Sequence, residues 1–331
     1  MKNAFLKILV CVLLLAGKET NAQTHYSDYT PCPKRIIAYF ASWGDRPDKG
    51  NYGVSSIPWN KITHINYAFA AIGSNSKIKL LDSAVSVKNV YPGQDNALAY
   101  KGQFNLLTVY KKQYTSVKTL ISIGGWSESG GFYDMSATAQ GRETFANSCV
   151  DFLRQYAFDG IDLDWEYPTS AAGATSPLDE MMYYTKYSSV VYANYLSLLK
   201  LLKQKLDAAG TSDNKKYLLT IAAPASGWTL SGMELAEHCK YIDFLNLMTY
   251  DLHGAWNSNV GHQAALYATY ADPETAGMDQ PTLNVDWAVK YYSGILHPSK
   301  INIGIPYYSR GWTDVTGGTN GLWGHSPKLT H

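Results

Sequence analysis

The sequence predicts an α/β fold, a (β/α)8 barrel in which seven strands can be counted and the last is missing. Seven short runs rich in β-branched and aromatic residues fall at 36–42, 63–70, 119–126, 160–167, 217–225, 244–250 and 301–308, and each has the length of a strand rather than of a helix. Apolar residues at helical spacing lie between them, over 136–156 and 187–209, the second pattern ending at Gly210, a residue suited to a left-handed C-terminal cap. Alternating strands and helices build a parallel sheet, and seven of them favour a barrel over an open doubly wound sheet. Finally, the residues able to do chemistry gather at the C-terminal ends of the runs, where barrel proteins carry their sites.

The chain opens on Lys2 and Lys7, an apolar stretch 8–16, polar residues and a small residue at Ala22. That is the layout of a secretory signal peptide cut after Ala22, and the apolar stretch is too short for a membrane span. Secretion is therefore expected, with a polar lead over 23–34 and a barrel over 35–331. Of the four cysteines Cys11 would leave with the signal, so Cys32, Cys149 and Cys239 allow at most one internal bridge. Cys149 lies in an apolar helical pattern and reads as a buried free thiol.

The first strand ends in Tyr39-Phe-Ala-Ser-Trp43, the second in Asn66-Tyr-Ala-Phe69 and the third in Ser122-Ile-Gly-Gly-Trp126, so each delivers an aromatic to one mouth. Gly124 and Gly125 permit close backbone approach or positive φ. The fourth strand carries the sharpest signal, Phe158-Asp-Gly-Ile-Asp-Leu-Asp-Trp-Glu-Tyr-Pro168. Side chains alternate along a strand, so Asp162, Asp164 and Glu166 share one face while Ile161, Leu163 and Trp165 share the other. Carboxylates two residues apart stand only ~6.6 Å from each other at the backbone, and their repulsion raises at least one pKa, which keeps an acid protonated near neutral pH. Glu166, last in the row and longest in reach, is the candidate proton donor. A hard-metal loop would carry its acids on flexible turns with further oxygen ligands, and none follow. No metal or cofactor is expected.

The sixth strand ends in Met248-Thr-Tyr250-Asp251, followed by His253-Gly-Ala-Trp256, and the seventh in Pro306-Tyr-Tyr308-Ser-Arg310. Tyr250 shares the inward parity of Met248 and offers a phenol donor. His253 reads as a satisfied loop histidine rather than a base. Arg310 reads either as a cleft residue or as the partner of an acid in the fourth-strand row.

Asp159, Asp162, Asp164 and Glu166 reproduce the D-x-x-D-x-D-x-E signature of glycoside hydrolase family 18, the chitinases. The Ser-x-Gly-Gly-Trp, Met-x-Tyr-Asp and Tyr-x-Arg segments resemble the same family, from about Arg35 to the end of the chain. The resemblance implies a retaining, substrate-assisted hydrolase acting on chitin and N-acetylglucosamine oligomers, with Glu166 as general acid. Asp164 would orient the acetamido group, Asp162 would share a proton with it, Asp159 would support the row, and Tyr250 and Asp251 would hold the N-acetyl group. Tyr39, Trp43, Phe69, Gly125, Trp126, Met248, Trp256, Tyr308 and Arg310 would line the substrate cleft. The resemblance also implies an eighth strand bearing a cleft-floor Trp and, in many members, an α+β insertion after the seventh strand. Residues 313–331 read as the approach to that insertion, and the chain as a fragment.

Composition agrees: 26 Tyr and 9 Trp in 331 residues exceed what a core needs, and sugar faces stack on such rings. A net charge of +1 gives no reason to expect nucleic acid or an anionic membrane as partner, and a monomer is expected. Two rivals stand beside the chitinase reading, a chitin-binding lectin on the same barrel and an endo-β-N-acetylglucosaminidase acting on N-glycans.

Overall fold

The computed structural model describes residues 34–327; the signal and lead expectations, Cys32 and residues 328–331 lie outside the described residues. Seven strands run parallel in the order β1 (Ile37–Ala41), β2 (His64–Ile72), β4 (Lys118–Gly124), β5 (Gly160–Asp164), β6 (Leu218–Pro224), β7 (Phe244–Met248) and β8 (Ile301–Ile303). One short strand, β3 (Ile78–Leu80), pairs antiparallel with β2. This is the predicted (β/α)8-type sheet, and no eighth parallel strand follows β8 among the described residues. No described helix is long and apolar enough to cross a membrane.

The central strands are buried on both faces, as a parallel sheet covered by helices requires. Odd-numbered residues face the helices: Ile121, Ile123, Ile161, Leu163, Leu219, Ile221, Leu245 and Leu247 join the apolar cluster that includes Phe145, Cys149, Leu198 and Leu202. Even-numbered residues face the barrel interior and are often polar. Register sets them abreast, Ser122 beside Asp162 and Asp162 beside Thr220.

Helix Ala139–Tyr156 starts where Thr138 Oγ1 accepts from Gly141 N at 2.9 Å and stops at Ala157, which takes a left-handed φ of 57°. The preceding turn of the predicted pattern belongs to a separate helix, Gly130–Ala137. The second predicted helix is Val191–Ser212, and it runs through Gly210 rather than ending there. Gly210 is needed for contact instead, since a Cβ there would stand 2.5 Å from Lys215 O. Helix Gly102–Gln113 escaped the sequence reading because Gly102 to Leu107 are buried all round, which erases the amphipathic period. Helix Val285–Ser293 escaped it although Asn284 Oδ1 caps it from Trp287 N at 2.8 Å. Cys149 is free and buried, as its pattern predicts, and so is Cys239.

Two strands fall furthest short of their predicted length. β5 stops at Asp164, and β8 pairs for three residues only, with its last residue Ile303 exposed and Ile305 and Tyr307 exposed beyond it. β8 is tied to the start of β1 by side chains: Arg35 Nε donates to Asn302 Oδ1 at 3.1 Å, and the guanidinium lies 4.5 Å from the Phe244 ring centre.

Gly160 begins β5 because the backbone of β6 leaves no room for a side chain, a Cβ falling 2.4 Å from Leu218 O. Gly160→Ala should therefore lower stability by about 2 kcal/mol without changing the fold, read as a lower melting temperature with an unchanged far-ultraviolet spectrum.

Candidate active site

The even-numbered face of β5 carries the predicted acid row, and its members sit in three different environments. Asp162 has no exposed surface and is fully partnered. Its Oδ2 accepts from Tyr39 Oη at 2.8 Å and Ser122 Oγ at 2.8 Å, and its Oδ1 from Thr220 Oγ1 and from Asn246 Nδ2 at 3.2 Å. Four donors fill the four acceptor directions of an ionised carboxylate. Burial pushes its pKa up and these four bonds pull it back.

Asp164, one step further along the strand, is 5% exposed, and its Oδ1 has no hydrogen-bond partner among the described residues. Burial, then the charges of Glu166 and Asp162, hold its carboxyl well above the usual range. Glu166 lies beyond the end of β5, half-buried, its N–H donated to Ser129 Oγ at 2.8 Å. Burial pushes its pKa up to about 7, aided by the Asp251 charge and opposed by hydrogen bonds from Tyr167 and the Trp126 backbone. The row thus runs from a pinned carboxylate through an unpartnered acid to a proton-holding group at the mouth.

The Gly-Gly pair makes this possible. Gly124 (φ 110°) and Gly125 (φ 88°) adopt the left-handed region, and Gly125 N donates to Asp164 O at 2.7 Å. A Cβ on Gly124 would fall 2.2 Å from Asp164 O, and one on Gly125 would press on the Phe69 ring. Phe69 in turn lies 6.2 Å from Trp43, and Trp43 and Trp126 are exposed at the mouth.

Met248 ends β7 and Tyr250 follows it, the Tyr250 ring packing edge-on to Tyr308 at 6.1 Å. Burial first, then the Asp164 charge, drive the Tyr250 phenol far above its ordinary pKa, so it stays a donor. Asp251 takes a positive φ of 54° and accepts from Tyr308 Oη and Arg310 Nε, both at 2.8 Å. The Arg310 guanidinium also stands 5.2 Å from the Trp256 ring centre.

Two expectations are corrected. Asp159 does not approach the mouth: it precedes β5 at the opposite end of the barrel, bridged to Lys111 Nζ at 2.6 Å and accepting from Thr119 N at 2.8 Å. Strand direction decides this, since the residue before β5 must sit at the N-terminal face. Arg310 pairs with Asp251 rather than with the β5 row, because that row faces inward and the Asp162 carboxyl is already saturated with donors. The remaining predicted residues gather on β1, β2 and β5, at the ends of β4 and β7, and on the segments that follow β1, β4, β5, β7 and β8.

Sequence reading missed Thr220, Asn246 and Ser129 as site residues. A signal existed for the first two: each is a lone polar residue at an inward position of an otherwise apolar strand. Ser129 left none, since it acts from a loop. His253 is satisfied as predicted, Nδ1 bonded to His262 O at 3.0 Å and Nε2 to Asp272 Oδ1 at 3.1 Å. Among the described residues, no group of three or more His, Cys, Asp or Glu side chains is arranged to hold a metal ion.

Fold and cleft together define a parallel α/β barrel protein with an acid row and aromatic rim at its strand ends. The chain belongs to the glycosyl hydrolases family 18, whose profile matches residues 35–329. It is 36% identical over 323 residues to Chitinase A1 of Niallia circulans, covering 87% of this chain and 44% of that protein. It also resembles the crystal structure of a family GH18 chitinase from Chromobacterium violaceum, with 44% identity and a TM-score of 0.84 over 88% of this chain and 48% of that one. A third relative, catalytic domain 2 of the Ostrinia furnacalis Group II chitinase, is 28% identical with a TM-score of 0.72, over 88% of this chain and 69% of that one. A mutant of that domain was crystallised with penta-N-acetylchitooctaose. The chain spans about half the length of the first two relatives.

Both His253 nitrogens face acceptors, which makes the ring an imidazolium. Burial alone would push its pKa down, but the Asp272 bond and charge more than offset this and raise it above 6.5. A raised folded-state pKa stabilises fully below the unfolded value and is lost as pH rises through the folded one. Wild-type melting temperature should fall from about pH 6 to about pH 9, a window that spans the histidine range. His253→Asn should flatten that fall and cost about 3–5 kcal/mol at the lower pH.

Proposed function

We propose that the chain is the catalytic part of a secreted chitinase, which hydrolyses β-1,4 bonds between N-acetylglucosamine units with retention. The observation that carries this reading is the half-buried Glu166 carboxyl, held near neutrality in front of an unpartnered Asp164 and a saturated Asp162. A general acid works best with a pKa near the operating pH. Relatives named chitinases, one of them crystallised with an N-acetylglucosamine oligomer, support the substrate class. Residues 1–22 support export.

In this reading Glu166 gives its proton to the glycosidic oxygen as that bond breaks, and the 2-acetamido oxygen of the same sugar closes on the anomeric carbon. The resulting oxazolinium ion is opened by water, which returns a proton to Glu166 and restores the acetamido group. Asp164 Oδ1 is a buried acceptor lacking a donor, and an acetamido N–H would supply one. The Tyr250 phenol would donate to the acetamido carbonyl, and Trp43, Trp126 and Trp256 offer exposed rings for neighbouring sugars. Glu166 speaks against the lectin reading, since a binding module has no use for a held proton.

Glu166→Gln should cut turnover of soluble N-acetylglucosamine oligomers by about 10²–10⁴-fold while oligomer affinity changes little. Wild-type kcat/KM should fall as pH rises through about 7. A mutant with near-normal turnover would overturn the assignment, and a folded wild type that binds oligomers without cleaving them would establish the lectin. Cleavage of a glycoprotein core in preference to chitin oligomers would favour the N-glycan reading.

A further inference from the structure

Asp162 is joined to the far end of the barrel by a continuous line of side chains outside the chemistry described above. Arg35 Nε, at the start of β1, donates to Asn302 Oδ1 on β8 at 3.1 Å. Asn302 Nδ2 donates to Asn246 Oδ1 on β7 at 3.2 Å and to Leu245 O at 2.8 Å. Asn246 Nδ2 donates to Asp162 Oδ1 at 3.2 Å and to Tyr39 Oη at 3.2 Å, and Tyr39 donates onward to Asp162 Oδ2. Asn246 therefore reaches both carboxylate oxygens, one directly and one through a phenol.

The amide orientations are fixed by their neighbours. Turning Asn302 over would set its NH2 against a guanidinium and its oxygen against Leu245 O. Turning Asn246 over would set its oxygen against the Asp162 carboxylate. Every donor hence points the same way, from a permanent cation to an anion, and aligned bonds of this kind polarise one another in a low-dielectric interior.

We infer that Arg35, Asn302 and Asn246 form a one-way donor chain that holds Asp162 ionised, so that of the two aspartates it is Asp164 that carries a proton. Arg35 and Asn302 are positioning residues: they touch no substrate and act through Asn246. The inference rests on the reading of Glu166 as the acid only for its effect on rate. An ionised Asp162 leaves Asp164 neutral, and a neutral Asp164 does not repel the anion Glu166 becomes on giving up its proton.

Several titratable groups face this chain. Tyr39 approaches from β1, Asp164 and Glu166 from β5 and beyond, Tyr250 from beyond β7, and Tyr195 from helix Val191–Ser212, where it feels the charges of Asp162 and Asp164. At the Arg35 end stand His64, Lys118 and Asp159; His64 is driven down to about 4 by burial and then by the Arg35 charge, so it is neutral. Asp159 is bridged to Lys111. Arg35 is therefore the charge at the head of the chain.

The test is a carbon-13 carboxyl titration of aspartate-labelled protein, with resonances assigned through Asp162→Asn and Asp164→Asn, alongside pH–rate profiles on N-acetylglucosamine oligomers. Asn302→Leu cuts the chain, Arg35→Gln removes its charge, and Arg35→Lys restores the charge. In the first two, Asp162 should titrate about half to one pH unit higher and Asp164 lower. The alkaline limb of kcat/KM should rise with them, because an ionised Asp164 then opposes Glu166, and Arg35→Lys should return both readouts towards wild type. A merely structural role would lower the melting temperature and leave the titrations and the limb in place, and that result overturns the inference. If one variant fails to fold, the other still decides it. Shifted titrations in a protein without hydrolysis would support the chain and sink the chitinase reading, whereas hydrolysis with unshifted titrations would do the reverse.

Discussion

The ionised carboxylate of Asp162, sealed inside the barrel, is the constraint on which the interior depends. Burying such a group costs several kcal/mol unless its lone pairs are met, and here four strands meet them. Ser122 on β4 and Thr220 on β6 are its immediate neighbours in register, while Tyr39 on β1 and Asn246 on β7 reach it across the curve of the sheet. A flat sheet would place β1 and β7 out of range, so the curl of the barrel and the charge of Asp162 support one another. The same demand explains the polar inward positions Ser122, Thr220 and Asn246 on otherwise apolar strands: each bonds this carboxyl directly.

Asp162 in turn sets the character of its neighbours. Asp164, two residues on, is pushed towards the neutral form by burial first and then by the charges of Glu166 and Asp162, with no donor to draw it back. The strand then ends, and Glu166 stands one step outside the ladder, with its N–H held by Ser129 and its carboxyl half open to the cleft. An acid inside the ladder could not reach a substrate, and one in full solvent would not hold its proton near neutrality. The end of β5 at Asp164 places Glu166 between those limits.

Much of this was legible in the chain, for reasons that separate the elements. The barrel could be read because buried parallel strands are continuous apolar runs, and the acid row because period-two alternation on a strand is strict. Gly124 and Gly125 were legible because their backbone needs no partner to be inferred. Asp159 was misplaced because a motif is a string, whereas a strand has two ends: its first acid points to the floor and its last to the mouth. Arg310 was open between the cleft and the fourth-strand row because its true partner, Asp251, becomes a neighbour only where the segments after β7 and β8 meet. Helix Gly102–Gln113 hid because burial on all sides removes periodicity, and Ser129 because loop geometry has no period at all.

The rim obeys a different physics from the interior. Beyond Met248 and Ile303 the ladder stops, and the segments after β7 and β8 are joined by Asp251, which binds Tyr308 and Arg310 while Arg310 leans on Trp256. The Arg310–Asp251 pair is about one-third exposed on each side, so salt screens it and its net contribution is small. The Asp162 carboxyl has no exposed surface, and salt does not reach it. The cleft therefore couples a rigid, charge-determined floor to a rim held by weaker, adjustable pairs. That division suits a site that keeps one proton in place on a fixed floor while the groups at its rim adjust.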